Sequence, residues 1–304
     1  MPRSLADDDT VVELPQAFRP IDLEEFVRRD FPPRENLLSP WLAAKGLAMV
    51  FAPRGVGKTH FALGVAYAIA SGGSFLKWRS DKPRKVLLLD GEMPPAVLQE
   101  RLLNIIANSD CEPPPNHFML LPFDMWEQGS PDLGTEEGQK LLEPHLDGCD
   151  LVILDNISTL CRTGKENEAE GWGIIQAWAL SQRRQGRSVL FVHHAGKGGE
   201  QRGTSKREDV LDTVIRLSHP EDYEPTDGAR FLVTFTKSRG IYGADVEPFE
   251  AKMQDGKWSC EDTTDLLEAE IAALLAEGKS LREIGTELGI NKNKVDRIKR
   301  KLGK

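Results

Sequence analysis

Residues 46–71 read GLAMVFAPRGVGKTHFALGVAYAIAS, and this segment is the strongest indicator of fold in the chain. An apolar run predicts a buried strand, a glycine-bearing loop follows, and a helical pattern begins at Lys58. Glycines let such a loop wrap a phosphate group with its backbone N–H groups, and the helix N-terminus adds positive partial charge. The segment therefore predicts a phosphate-binding loop, or P-loop, for a nucleoside triphosphate.

The loop and the first residues of its helix are predicted to bind ATP. The residues are Ala52, Pro53, Arg54, Gly55, Val56, Gly57, Lys58, Thr59 and His60. Lys58 is expected to reach the β- and γ-phosphates, and the Thr59 hydroxyl is expected to ligate Mg²⁺. The first position is alanine instead of the usual glycine, a variant that the motif tolerates. ATP and Mg²⁺ are therefore the predicted cofactors.

Short apolar runs alternate with helical patterns along the chain. The runs after the P-loop are KVLLLD (85–90), HFMLLP (117–122), DLVILD (150–155) and SVLFVH (188–193), and the helices are expected at 58–71, 95–108, 135–146 and 167–185. This alternation predicts an α/β fold with a mostly parallel sheet covered by helices on both faces. The strand at 85–90 is expected beside the P-loop strand. SVLFVH, DTVIRL and RFLVTFTK lack long helices between them and are expected to form an antiparallel extension.

Two carboxylates follow predicted strands. Asp155 ends DLVILD, at the sheet edge where open α/β proteins place ligands, and is expected to hold Mg²⁺ through water. Glu92 lies just beyond KVLLLD and could orient and deprotonate an attacking water molecule. Acidic residues after strands are common, so the residues alone leave the role of Glu92 open.

Five motifs together resemble the RecA-type hexameric helicases. They are APRGVGKT, GEMPPAVLQERLL, LVILDN, the pair His193–His194, and KSRG at 237–240. The resemblance spans about residues 36 to 250 and is closest to the DnaB-like and RepA-like replicative helicases of bacteria, plasmids and phages. It implies a RecA-like P-loop NTPase core, ATP hydrolysis and a homo-oligomeric ring, expected to be a hexamer.

The resemblance also assigns roles to individual residues. Glu92 becomes the catalytic base, with Asp90 as the alternative. A polar residue that senses the γ-phosphate falls at His193 or His194, of which we choose His194. Lys237 and Arg239, on one face of a strand, are expected to touch the γ-phosphate bound by the neighbouring subunit.

Single-stranded DNA is the partner that the resemblance implies. The loop after SVLFVH is expected to line a central channel, where its glycines permit movement and its cations meet phosphates. Its cations are Lys197, Arg202, Lys206 and Arg207. The loop after DLVILD departs from the family because Glu166, Glu168 and Glu170 oppose a DNA backbone. No counterpart of the DnaB collar domain is found, so the likeness is to single-core RepA-like ATPases.

Residues 265–304 are predicted to form a separate all-α module. Residues 279–304 carry nine Lys and Arg residues against three acidic ones, so this end is +6 while the rest of the chain is −15. The pattern predicts three helices and resembles a helix-turn-helix whose third helix enters the major groove of duplex DNA. Lys292, Lys294 and Arg297 are the predicted contacts. A helical bundle used only for protein contact is the alternative.

The pattern and composition of the chain also predict its domain divisions and its location. The predicted divisions are an N-terminal arm with a short helix (1–35), the ATPase core (36–262) and the helix-turn-helix module (265–304). No apolar run approaches the roughly 20 residues of a membrane span and no signal sequence is evident, so a cytoplasmic location without membrane contact is expected. The four cysteines have no metal-ligand or disulfide spacing.

The sequence leaves three functional hypotheses. The first is a ring-forming, DNA-dependent ATPase that acts as a replicative helicase of a plasmid, phage or integrated element. The second is an ATP-regulated DNA-binding regulator or loader without helicase activity. The third is a RecA-like signalling ATPase without a nucleic-acid partner.

Overall fold

A computed structural model describes residues 20–162, 169–196, 208–288 and 291–303. For residues 169–171 and 264–266, Lys294 and Lys301 it describes the backbone only. The chain separates into two compact units between Arg34 and Glu35. The domain boundaries expected from the sequence stay a prediction.

The helices begin and end close to the sequence-based expectations. They are α1 (Leu23–Arg28), α2 (Lys58–Ser71), α3 (Pro95–Ala107), α4 (Glu136–Leu142), α5 (Ile157–Leu160), α6 (Ala169–Arg184), α7 (Thr263–Ala276), α8 (Leu281–Glu287) and α9 (Lys292–Lys301). In the first unit, α1 begins where the Asp22 carboxylate accepts the Glu25 N–H at 2.7 Å. Its apolar residues Leu23, Phe26 and Val27 are exposed.

All strands of the described residues belong to the second unit. They are β1 (Asn36–Leu38), β2 (Leu42–Ala43), β3 (Leu47–Ala52), β4 (Ser74–Phe75), β5 (Trp78–Arg79), β6 (Val86–Asp90), β7 (Phe118–Pro122), β8 (Leu151–Asp155), β9 (Ser188–His194), β10 (Thr213–Ser218), β11 (Arg230–Ser238), β12 (Phe249–Gln254) and β13 (Lys257–Asp262). The large sheet has the order β13-β12-β11-β10-β3-β9-β8-β6-β7.

The large sheet is parallel from β10 to β7 and antiparallel from β11 to β13. This mixed α/β architecture confirms the predicted fold class of a RecA-like P-loop NTPase. Both faces of its central strands are buried. In β3, Ala48, Val50 and Ala52 join one apolar core, while Leu47, Met49 and Phe51 join the core on the opposite face. Such two-sided burial explains why the P-loop strand is apolar throughout.

Two expectations about strand pairing are wrong. The strand at 85–90 (β6) does not lie beside the P-loop strand, because β9 and β8 lie between them. SVLFVH (β9) and DTVIRL (β10) are not antiparallel, since both run parallel to β3 and flank it. The antiparallel extension consists instead of RFLVTFTK (β11) followed by β12 and β13, for which the sequence gives no apolar run.

The C-terminal helices form a small core of their own. Ile271 of α7, Ile284 of α8, and Val295 and Ile298 of α9 are buried against one another. Ser280 begins α8 with a capping box, in which its hydroxyl accepts the Glu283 N–H at 3.3 Å. Three helices thus occur where the sequence predicts them, and their status as a separate module stays a prediction. Residues 289–290, between α8 and α9, lie outside the described residues.

Across the described ranges, no helix is long and apolar enough to span a membrane. The cysteines are free thiols: Cys149 and Cys161 are buried, and Cys111 and Cys260 are exposed.

Candidate active site

The carboxyl ends of β3, β6, β8 and β9 meet at one edge of the sheet because these strands are parallel. A cleft of about 570 Å³ opens there. It is lined by the P-loop together with Glu92, Arg101, Asp155, His194, Gly228 and Ala229. Most of the predicted catalytic residues therefore share one cleft.

The P-loop has the backbone shape that a phosphate cradle needs. Gly55 and Gly57 have φ values of 84° and 118°, which side-chain-bearing residues rarely adopt. A Cβ at Gly57 would also lie 3.2 Å from the Phe231 ring. Lys58 donates from Nζ to the carbonyls of Ala52 and Pro53, at 3.2 and 2.9 Å, so its ammonium lies at the loop. Burial lowers the pKa of Lys58, and the carboxylates of Asp155 and Glu92 oppose this shift.

Thr59 and Asp155 are the two groups predicted to hold Mg²⁺, and they lie together. The Thr59 side chain hydrogen-bonds the Asp155 carboxylate, while Asp155 Oδ2 is buried and has no hydrogen-bond partner among the described residues. Burial, with a contribution from nearby Asp90, raises the pKa of Asp155 to about 7. A hydroxyl beside a carboxylate oxygen that lacks a partner suits a hard cation. The residues present therefore fit Mg²⁺.

Within the described ranges, no group of three or more His, Cys, Asp or Glu residues could hold a metal ion. Mg²⁺ in nucleotide sites usually keeps several water ligands and binds substrate phosphates, so few protein ligands are needed.

Glu92 and Asp90 have different environments. Asp90 is buried, and its Oδ1 accepts the N–H groups of Glu92 and Met93 at 3.1 and 2.7 Å. The Glu92 side chain is 48% exposed, and its Oε1 lies 3.5 Å from His194 Nε2. Asp90 thus shapes the loop that carries Glu92 into the cleft. The geometry favours Glu92 over Asp90 as the base, an assignment that stays a prediction.

The two histidines at the end of β9 point to opposite sides of the sheet, as strand geometry requires. His193 is fully buried, whereas His194 lines the cleft beside Glu92. Burial, followed by the charge of Lys58, lowers the pKa of His194, a shift that favours the neutral imidazole. Of the two histidines, His194 therefore faces the cleft, and its role as the γ-phosphate sensor stays a prediction.

Arg101 lines the cleft, although no motif in the sequence assigned it a role. It lies on α3, where Leu98 is buried, and Leu102 and Ile105 pack against the core. Burial lowers the pKa of Arg101, and the opposing charges of Asp155 and Asp90 raise it. A cation on the inner face of an amphipathic helix was the signal that could have revealed it.

The turn between β10 and β11 also borders the cleft, through Gly228 and Ala229. Arg230 fixes this turn by ion pairs with Asp222 and Asp227 at 3.0 Å and with Glu250 at 2.6 Å. Lys252 pairs with Asp227 at 2.9 Å. Hydrogen bonds from Lys252, from the Glu224 N–H and from Arg230 hold the pKa of Asp227 far below its usual range. No local sequence pattern marked this turn.

Lys237 and Arg239 lie at the opposite edge of the sheet. Ser238 is paired with Thr213, which is paired with Ala48 at the start of β3, whereas the P-loop follows the end of β3. A six-residue strand spans about 17 Å, so these cations are remote from Lys58 of the same chain. Lys237 donates to the Glu208 carbonyl, and Arg239 Nη2 donates to the Asp209 carbonyl at 3.2 Å.

The predicted DNA contacts are only partly described. Lys197, Arg202, Lys206 and Arg207 lie outside the described residues, as does the side chain of Lys294. Lys292 and Arg297 are exposed on α9.

A P-loop that opens a helix at the end of a buried parallel strand, with Asp155 beside it, defines a P-loop nucleotide-binding protein. A family model described as an AAA domain matches residues 14–200. The chain belongs to this family of AAA-type P-loop ATPases. Membership implies nucleotide binding and supports ATPase activity in general.

Proposed function

We propose that the protein is an ATP-hydrolysing, ring-forming, DNA-dependent ATPase, and specifically a RepA-like replicative DNA helicase of a mobile element. The observation that carries the proposal is the division of the predicted catalytic groups between two edges of one sheet. The P-loop, Asp155, Glu92 and His194 share the cleft, and Lys237 and Arg239 lie at the far edge. Neighbouring subunits can unite the two sets.

Hydrolysis follows from the groups in the cleft. The P-loop N–H groups and Lys58 bind the phosphates of ATP, and Glu92 orients a water molecule and accepts its proton. In the neutral tautomer that carries its hydrogen on Nε2, His194 can donate to Glu92 and so link the base to the end of β9. Mg²⁺ held by Thr59 and Asp155 would supply positive charge to the phosphate oxygens.

Arg239 and Lys237 of one subunit are proposed to stabilise charge on the γ-phosphate bound by the next. Arg239 is suited to this because its side chain is 57% exposed. A cation supplied by a neighbour accelerates phosphoryl transfer by about 10³-fold or more. Turnover is then expected only in the assembled oligomer.

DNA dependence rests on the loop after β9, in accord with the family resemblance, and on the basic surface of α9. Cations on such surfaces bind DNA phosphates and release counterions. The deciding experiment measures ATP turnover with and without single-stranded DNA, and strand displacement on a forked duplex, with Lys58→Ala as the inactive control. Stimulation and unwinding would support the helicase. An assembled oligomer that hydrolyses ATP but unwinds no forked duplex would refute the helicase activity.

The C-terminal three-helix core favours a second candidate, an ATP-regulated DNA-binding regulator or loader without helicase activity. A processive motor does not need a helix-turn-helix, whereas a regulator uses one to choose its site. Tight, sequence-dependent duplex binding without unwinding would select this candidate. ATP turnover indifferent to both forms of DNA would instead favour a signalling ATPase.

A further inference from the structure

A mostly buried carboxylate lies at the sheet edge opposite the P-loop. Asp212 directly precedes β10, and its side chain is 12% exposed. Its Oδ2 accepts the Leu47 N–H at 3.1 Å and Nη2 of Arg183 at 2.7 Å. Arg183, in the last turn of α6, also donates from Nε to the Lys45 carbonyl at 3.0 Å. This carboxylate is therefore fixed by β3 and α6.

Arg239 lies against the other oxygen of the same carboxylate. Its backbone N–H donates to the Asp212 carbonyl at 2.9 Å, and its Nη1 lies 4.0 Å from Asp212 Oδ1. Nη2 donates to the Asp209 carbonyl at 3.2 Å. One side of the guanidinium thus faces the segment 209–212, while the side chain as a whole is 57% exposed.

An exposed arginine has many rotamers, and most of them would miss a phosphate on a neighbouring subunit. A fixed anion beside the guanidinium reduces that freedom before the neighbour arrives. Because misplacement of a catalytic group by about 1 Å can cost about 100-fold in rate, such an anchor affects turnover.

We propose that Asp212 is a positioning residue for Arg239. It holds the guanidinium in the orientation from which Arg239 reaches the γ-phosphate of the adjacent subunit. This inference rests on the proposed function, in which Arg239 acts on ATP bound by a neighbour. Asp212 also pairs with Leu47 at the start of β3, so Arg239 is tied to the strand that ends in its own P-loop.

The first test uses Asp212→Asn in the full-length chain. The amide keeps an acceptor for the Leu47 N–H and for Arg183 but removes the charge that faces Arg239. We expect unchanged ATP affinity and oligomer size, with kcat lowered about 10- to 100-fold. Arg183→Gln is the comparison: it removes the ion pair on Asp212 Oδ2 but keeps the Leu47 N–H bond and the charge that faces Arg239, so kcat should fall less than in Asp212→Asn.

Mixed oligomers separate positioning from a structural role. Asp212→Asn subunits mixed with Glu92→Gln subunits should regain turnover, because some interfaces pair an intact Glu92 with a neighbour's intact Asp212 and Arg239. Random mixing of equal amounts makes about a quarter of the interfaces complete. Asp212→Asn mixed with Arg239→Ala should regain none, since no subunit then offers a correctly held Arg239.

The outcomes distinguish this inference from the function on which it rests. Recovery in the Asp212→Asn and Arg239→Ala mixture would overturn it, because Asp212 would then act in its own subunit's site. An equal defect in Arg183→Gln, or no defect in Asp212→Asn, would also overturn it. If Arg239→Ala mixed with Glu92→Gln recovers nothing, the proposed action between subunits fails and the inference with it. Should Asp212→Asn not fold, Asp212→Glu keeps the charge, displaces the carboxylate and enters the same mixtures.

Discussion

Asp155 shows, at the scale of one residue, how a functional group can oppose stability. Its Oδ2 is buried without a hydrogen-bond partner in the described part of the chain, and its pKa is raised to about 7. A raised carboxyl pKa means that the folded state prefers the protonated form, so this contribution to stability is present at acidic pH and is lost as pH rises towards 7. A cation at the site would remove that conflict.

Asp155→Asn is therefore expected to stabilise the nucleotide-free protein at pH 8 while abolishing ATP turnover. In the wild type, the buried carboxylate lacks a full set of hydrogen bonds, which lowers the free energy of unfolding by about 1 to 3 kcal/mol. The neutral amide removes this penalty. Thermal unfolding without nucleotide or Mg²⁺ measures the gain, which should vanish near pH 4, where the wild-type side chain is protonated. A lower melting temperature for the variant at pH 8 would contradict the argument.

Glu92→Gln is expected to bind ATP and lower kcat by about 10² to 10⁴, the usual contribution of a general base. Asp90→Asn is the matched comparison, because its Oδ1 can still accept the N–H groups that shape the loop. It should therefore retain most of the activity. Single-turnover experiments measure the hydrolysis rate of bound ATP in each variant and so separate the chemical step from ATP binding. Normal turnover by Glu92→Gln would reassign the base.

At the scale of elements, local patterns predicted what lies within a strand or helix but not which strands adjoin. The P-loop helix was expected at 58–71 and is found there, because propensity and apolar spacing act locally. The pairing of 85–90 with the P-loop strand failed because neighbours in sequence often, but not always, pair in a sheet. β12 and β13 were missed since one alternates charged and apolar residues and the other is largely polar.

The candidate site was likewise predictable only in part. The P-loop and Asp155 belong to motifs that a short stretch of sequence reveals. Arg101, Gly228 and Ala229 reach the cleft only through tertiary packing. The place of Arg230 in an ion-pair network depends on residues up to 20 positions away. Pairwise contacts of this kind leave no periodic trace in one sequence.

The β10–β11 turn yields a prediction of its own. Arg230→Gln should raise the KM for ATP roughly five-fold, equivalent to about 1 kcal/mol, because a loosened turn must be ordered when nucleotide binds. The value of kcat should change little, since Arg230 does not line the cleft. Lys257→Gln, which removes the same charge from the β12–β13 hairpin, is the control. A matching loss in kcat would mean that the turn serves catalysis rather than binding.

At the scale of the whole molecule, charge is unevenly distributed between an acidic body and a basic end. Lys292 and Arg297 are exposed on the third helix of the C-terminal core. If both contact phosphates, replacing both with alanine should weaken duplex binding and reduce the slope of log affinity against log salt by about 1.8. Basal ATP turnover should be unchanged. Fluorescence anisotropy across a salt series measures the slope.

The control for that double variant is Lys140→Ala with Lys257→Ala, which removes the same charge from exposed positions elsewhere. An equal loss of duplex affinity in both double variants would show that DNA binding depends on net charge and not on the α9 surface. A normal salt slope in the α9 variant would assign the C-terminal helices to protein contact.

Because Arg239 and the P-loop lie on opposite edges of the sheet, we expect turnover per chain to depend on protein concentration. Under the proposed action of Arg239 on the neighbouring subunit's ATP, chains joined head to tail would complete one site fewer than their number until a ring closes, and an isolated chain would complete none. Turnover per chain should therefore rise with protein concentration and reach a plateau only when closed rings predominate. The rate of ATP consumption would then report how many copies have met, so that a cell holding few copies would spend almost no ATP on them.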